Sequence, residues 1–501
     1  MENRSTVKCK PINEGCHFFT HHVSQLMTHS LSKRIRRHVR SRMHDFFAVV
    51  SPGFESVCLE ELGEIPPLKK GGEENPPIMK EKKQLPFPKG GRGFLPEFNI
   101  VTGGVEFKGR VHDCYAANLH LRTATRILMR IGEFRATSFS QLEKRLSDFP
   151  WELFLCPGAM PRISVTARHS RLYHSDAIAE RFGKSISARE QLAVGSRQSA
   201  VGSWQSAVGS RQSAVGRKRS AVGRKRSAVG SRQEAVDRKQ LAVGSRQSAE
   251  SRDSSPQIFV RVSDDCFTVS LDSSGAPLYK RGIRKHTGKA PIRETIAASI
   301  LKLAGYQKNE PLVDPLCGAG TFSLEAAMMA SEISPGLFRK FAFEEWPVFS
   351  PRKWAYIRGE AEKARIRFSE PMIFASDKDR NACIRLDECV REYDLSGVIS
   401  ISCRDFFEFS PRMLTRQTGL VVLNPPYGRR IGTRHESVQI FHAICRHLKK
   451  EYKGWKIAMI VPDRQLAKTI PFKLTAHRFH HGGLKATLLV GRIKPGDQSL
   501  G

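Results

Sequence analysis

The chain has 501 residues, 40% of them apolar, enough for two or three domains with real cores. A formal net charge of +33 points to a polyanionic partner such as nucleic acid. Eleven dispersed cysteines contain no C-x-x-C pair, which argues against both a disulfide framework and a zinc site; no metal is expected, and a reducing cytoplasm is the expected compartment.

Residues 1–42 form a basic, His-rich stretch around Lys33-Arg34-Ile35-Arg36-Arg37, without an apolar core of signal-peptide or membrane-spanning length. A disordered extension is the expected reading. From Met43, FFAVVSPGFESVCLEELGEI begins a folded pattern, interrupted over 66–96 by a Pro-Pro/Lys-Gly-Gly theme without helix or strand periodicity. FNIVTGGVEFKG, from Phe98, has strand character. Cys114 to Ile131 shows helical apolar spacing, and Arg162–Ala167 and Gln257–Leu271 read as strands, together predicting an α+β module. Arg122, Arg126, Arg130, Arg168, Arg171 and Lys184 are its candidate phosphate contacts, although any one such residue is more often a solvated surface charge.

Residues 192–247 are eight seven-residue units of the form Ser-Ala-Val-Gly-Ser-Arg-Gln. A coiled coil is excluded because Ala and Val are adjacent and nearly every unit carries a Gly, costing about 1 kcal/mol relative to Ala in a helix. The span 191–252 holds thirteen Lys/Arg against three Asp/Glu and is expected to be a disordered basic insert.

The second half alternates helices and strands, as in a parallel sheet covered on both faces. Pro311 to Thr321 reads PLVDPLCGAGT, a strand, a glycine turn and then the apolar helix pattern Phe322–Ala330. Gly318 and Gly320 would let backbone approach a ligand closely. The turn is neither a P-loop nor a G-x-G-x-x-G fingerprint. Asp314 before it suits a cationic or hydroxylated ligand, a demand that S-adenosylmethionine meets. The run Met372–Ser376 ends at Asp377, placed to bind ribose hydroxyls. Val398–Cys403 leads to Asp405-Phe406, an acceptor and an aromatic suited to an adenine. Each acid alone is more often a helix cap than a ligand; four strand-end motifs in register are harder to dismiss. Leu420–Leu423 ends in Asn424-Pro425-Pro426-Tyr427. The Asn424 oxygen and Pro425 carbonyl can accept the two hydrogens of an exocyclic base amine, and Tyr427 can stack on the base. Lys456–Val461 and Ala486–Ile493 supply later strands.

DPLCGAGT, SDKD, RDFFEF and NPPYG, in that order and preceded by LYKRGIRKHTGKAPIRETIAASIL, resemble the THUMP-domain guanine-N2 RNA methyltransferases, especially the bacterial 23S ribosomal RNA branch in its single-methyltransferase-domain form. The resemblance runs from about Met43 to Ile493. It implies a Rossmann-like class I methyltransferase domain over 276–501, α/β in class. Ahead of it, over 43–275, it implies an α+β ferredoxin-like and THUMP RNA-binding module carrying the two inserts. It also implies S-adenosylmethionine as cofactor, with Asp314, Gly318 and Gly320 at its methionine end, Asp377 at its ribose and Asp405 with Phe406 at its adenine. Asn424, Pro425 and Tyr427 become the catalytic loop. The expected substrate is a guanine of 23S rRNA, with no membrane involved. Transfer RNA, an adenine in DNA, and a non-catalytic RNA-binding protein on a decayed methyltransferase fold remain as alternatives.

Overall fold

The computed structural model describes residues 29–65, 98–189, 255–282, 292–408, 410–425, 434–461, 470–481 and 484–494. Most of the 1–42 extension, both inserts and Tyr427 lie outside them. The chain divides into a larger unit, 39–130 with 272–501, and a smaller one, 1–38 with 131–271.

In the larger unit, β1 (His44–Val50) buries alternate residues Phe46, Ala48 and Val50, the period of a half-covered strand. After β2 (Phe98–Val101), β3 (Gly104–Gly109) pairs antiparallel with β1, and β4 (Ala124–Arg135) pairs antiparallel with its other side. Helices Glu55–Glu64 and Val111–His120 accompany these strands.

A single helix over 114–131 is therefore not what forms. The helix stops at His120, Leu121 is extended, and Ala124 begins β4. Pairing with β1 satisfies the backbone there and buries Ile127 and Met129, which outweighs a helical spacing that fitted nearly as well. The same change removes two candidate phosphate contacts. Arg122 is buried, donating to the Met328 and Ile333 carbonyls, while Arg126 is paired with Asp272 and the Gly275 carbonyl. Arg130 pairs with Glu106 at 2.6 Å.

In the smaller unit, β5 (Arg162–Arg168) runs parallel to β6 (Gln257–Ser263), which turns through Asp264 and Asp265 into antiparallel β7 (Cys266–Asp272). Both turn residues have positive φ, +51° and +62°, which Asp tolerates better than most residues. Ser138 caps the helix Phe139–Ser147 through the Gln141 amide. Leu142, Leu146, Trp151 and Phe182 are buried in this unit, whereas Arg168 and Arg171 are exposed and Lys184 pairs with Glu180.

The second sheet of the larger unit comprises β8 (Leu312–Asp314), β9 (Ile373–Asp377), β10 (Ile399–Cys403), β11 (Leu420–Leu423), β12 (Lys456–Val461), β13 (Thr475–His481) and β14 (Leu484–Arg492). Its spatial order is β10-β9-β8-β11-β12-β14-β13. The first five are parallel, and β14 inserts antiparallel between β12 and β13. Every residue of β11 is buried, as expected of a strand covered on both faces. Phe441, Leu448, Tyr452 and Trp455 pack with Val421 and Leu423 in one cluster.

A buried ion pair ties the start of this half to the helix Thr321–Ala330. Arg281, 3% exposed, donates to both carboxylate oxygens of Glu325, at 2.9 and 3.2 Å, and to the Leu278 and Arg122 carbonyls. Among the described residues, no helix is long and apolar enough to cross a membrane.

Candidate active site

Strand order reverses between β8 and β11: the chain builds outward from β8 through β9 and β10, then returns to β8's other side with β11. In open α/β sheets, ligands occupy the crevice at the carboxyl ends beside such a reversal. The register lines these ends up, with Asp314 opposite Ala375 and Asp377 opposite Cys403. Four strand exits thus bring Asp314, Asp377, Asp405 and Asn424 to one edge of the sheet, although they are separated by up to 110 positions in the chain.

The glycine turn is held by the neighbouring exit. Asp377 accepts the Gly318 amide on Oδ2 and the Asp379 amide on Oδ1, both at 2.9 Å, and the Cys317 amide donates to the Ser376 carbonyl. Asp379 in turn caps the helix Arg380–Glu392. Both glycines are left-handed. A Cβ on Gly318, at φ +52°, would meet nothing within 4 Å, so the turn leaves open space at that point. A Cβ on Gly320, at φ +72°, would sit 2.3 Å from Leu386 Cδ1. Gly320→Ala combines left-handed strain with that overlap and should lower the unfolding free energy by about 2 kcal/mol, read as a shifted urea midpoint at unchanged slope.

Asp314 is fully buried and accepts the Ser323 hydroxyl at 2.7 Å. Burial pushes its carboxyl up to about 7; the Ser323 bonds oppose the rise and the Asp377 charge adds to it. Ser323 was not singled out by the sequence reading, since a serine in the first turn of a helix is unremarked there. Cys317 is likewise buried, and its thiol hydrogen-bonds Cys383, whose pKa falls to about 7 chiefly for that reason. Among the described residues, no group of three or more His, Cys, Asp or Glu is placed to hold a metal ion.

At the β10 exit, Asp405 accepts the Phe407 amide at 3.0 Å. Phe406 is 2% exposed, its ring packed 4.6 Å from His447 and 6.1 Å from Tyr452. The exposed aromatic beside Asp405 is Phe407, at 47%. Of the two adjacent phenylalanines, the one expected at the adenine, Phe406, is claimed by the core because it lies against the cluster around Tyr452. At the β11 exit, Asn424 Oδ1 is shielded from solvent and has no hydrogen-bond partner among the described residues. A buried acceptor left unpaired costs about 1–3 kcal/mol, so its persistence at a crevice is itself informative. Pro425 is buried.

Residues 281–484 match the family model described as RMKL-like, methyltransferase domain. The chain carries an RMKL-like methyltransferase domain. Ahead of it, residues 92–128 match the RlmL ferredoxin-like domain. The ribosomal RNA large subunit methyltransferase K/L of Psychromonas ingrahamii is 26% identical over 408 residues, covering 79% of this chain and 47% of that protein. The chain spans about half the length of the K/L relatives it matches. The Synechocystis sp. protein slr0064, whose name assigns it provisionally to the RNA methyltransferases, is 26% identical over 89% of this chain and 95% of its own length. Among solved structures, SMU.472, a methyltransferase by its description and solved with SAH, superposes with TM-score 0.65 at 23% identity, covering 91% of this chain and 100% of that one. A methylase-like protein of Clostridium difficile 630 gives TM-score 0.66 at 21% identity, with 91% and 99% covered. These likenesses establish the Rossmann-like fold of the methyltransferase domain.

Proposed function

We propose that the protein is an S-adenosylmethionine-dependent RNA methyltransferase acting on the exocyclic N2 amine of a guanine, in 23S rRNA ahead of transfer RNA. The observation that carries the reading is Asn424 Oδ1, shielded and without a partner among the described residues, beside Pro425 at the reversal of strand order. An aromatic amine is a weak nucleophile because its lone pair is delocalised into the ring. Two fixed acceptors can draw its hydrogens out of the ring plane and stabilise the charge that develops on nitrogen. In this reading Asn424 Oδ1 takes one hydrogen, the Pro425 carbonyl takes the other, and Tyr427 stacks on a base turned out of its helix.

The residues present fit the cofactor. Open space over Gly318 admits a close-lying ligand, and Asp314, Gly318 and Gly320 would hold its methionine end. Asp377 would take the ribose, and Asp405, with Phe407 exposed next to it, the adenine. When bound, S-adenosylmethionine supplies the electrophilic methyl group. The exposed Arg168 and Arg171 of the smaller unit suit the RNA phosphates expected of a THUMP module, and a cytoplasmic setting follows from that substrate.

Methyl transfer from labelled S-adenosylmethionine to purified 23S rRNA and transfer RNA, followed by nucleoside analysis, tests the proposal. N2-methylguanosine in one RNA supports it and selects the substrate. N6-methyladenine, or no transfer by folded protein, overturns it.

Asp314 adds a pH dependence. Its folded pKa, near 7, stands above the ordinary carboxylate value of 3.8, so its contribution to stability is full below about 4 and is lost as pH rises through 7. A cationic ligand group favours the ionised form. Affinity for S-adenosylmethionine should therefore strengthen as pH rises towards and past 7, with proton release. Asp314→Asn should flatten that part of the calorimetric pH profile.

A further inference from the structure

The described surface carries a cationic feature on β13 and β14, outside the four strand exits of the candidate active site. β13 is the last strand of its sheet, with a neighbour only in β14. One of its faces buries Phe479 against Phe54, with ring centroids 5.3 Å apart. The other presents Arg478 and His480, both exposed, and the register sets exposed Lys485 of β14 directly opposite His480. None of these three has a carboxylate partner among the described residues, in a structure whose other surface cations frequently do. Arg293, exposed and lying over the Tyr279 ring, extends the same sign of charge towards half-buried His481, where burial and the Arg293 charge lower the imidazole pKa.

The register fixes where this cluster lies. Leu423 of β11 is level with Met459, Met459 with Leu489, and Leu489 with Ala476, so Arg478 stands level with Pro425, one residue past Asn424. β13 runs in the same direction as β11 and β12, which puts His480 and Lys485 at the carboxyl edge that carries the candidate active site. Three inter-strand steps separate β11 from β13, about 14 Å at roughly 4.8 Å per step. That is a short walk along a single-stranded backbone, a few phosphates from a base held at Asn424.

We infer that Arg478, His480 and Lys485 form a track for the RNA phosphates flanking the target nucleotide, holding single-stranded RNA across the edge of the sheet as its base enters the crevice. The inference rests on the proposed function and names a surface which that reading alone does not supply. The track contacts backbone, so it contributes affinity and positioning without choosing sequence.

The test is binding of a fluorescein-labelled single-stranded 20-mer RNA as a function of salt. It compares the wild-type chain with the double variant Arg478→Ala/Lys485→Ala and the charge-retaining Arg478→Lys/Lys485→Arg. Removing two phosphate contacts should make the slope of log K against log salt shallower by about 1.4, at roughly 0.7 per contact on a single strand, and the charge-retaining pair should restore it. In methyl transfer, KM for RNA should rise with kcat nearly unchanged, and S-adenosylmethionine affinity should not move. A wild-type slope in the alanine pair overturns the inference, as does a loss confined to anionic vesicles with RNA binding intact. A wild-type chain that neither binds RNA nor methylates it refutes the proposed function instead, so the two failures are separable.

Discussion

If the proposed chemistry holds, Asn424→Ala should lower the rate of methyl transfer by about 100-fold or more, the magnitude expected when one preorganised group facing developing charge is removed. The side chain is placed by β11, whose four buried residues hold the strand in the centre of the parallel sheet, so Asn424 leaves it at a fixed height. Its Oδ1 is shielded and without a partner among the described residues, so no described structural bond is lost on truncation. Stability should accordingly stay level or rise slightly, because the buried acceptor that disappears has no partner among the described residues. S-adenosylmethionine affinity should be unchanged, since the residues proposed to hold it lie on and just past β8, β9 and β10. A variant that unfolds would assign Asn424 a structural role, and one that turns over normally would remove it from the chemistry. Single-turnover rates measured alongside calorimetry and a thermal melt separate these outcomes.

Glu325→Ala should lower the unfolding free energy by about 3–5 kcal/mol, the largest stability effect expected of any single substitution considered. Glu325 is fully buried and receives two hydrogen bonds from Arg281, itself 3% exposed; Arg122 lies 3.9 Å away. Removing the carboxylate leaves a buried guanidinium without its counter-charge, beside a second one whose pKa burial already depresses. Gly320 is the N-cap of the same helix, so loss of the pair should also loosen the turn next to the proposed cofactor residues. Pairing Arg281→Met with Glu325→Leu should recover part of the loss, because it removes one of the two guanidiniums left without the Glu325 charge, Arg122 being the other. Urea denaturation of the single and double variants checks both statements; an additive double variant would show that the pair is not coupled.

Much of the methyltransferase half was legible in the sequence because its signals are local. A strand, a glycine turn and a helix have to follow one another for Gly318 and Gly320 to occupy left-handed positions, and the run Lys456–Val461 forms β12 with the boundaries read for it. The front half was less legible. Ile127 and Met129 fit a helical stripe as well as a strand, and only pairing with β1 decides between them. The same physics removed Arg122 from the surface: an arginine reads as solvated charge until a fold encloses it with carbonyls and Glu325. Phe406 and Phe407 are indistinguishable as letters, and burial alone separates core from surface.

The sequence by itself determined the chemistry available: an acid before a glycine turn, acids at two further strand exits, and Asn424-Pro425-Pro426-Tyr427 at a fourth, within a chain carrying +33. Those are properties of residue type and near-neighbour spacing. Only the tertiary structure decided which of them meet. Parallel pairing about β8 brings four distant exits to one edge and aims Asp377 at the Gly318 amide, while burial raises the Asp314 carboxyl. It also carries β13, far along the chain from Asn424, to the same edge. Contact across a sheet depends on register and strand order, and neither is a function of local sequence.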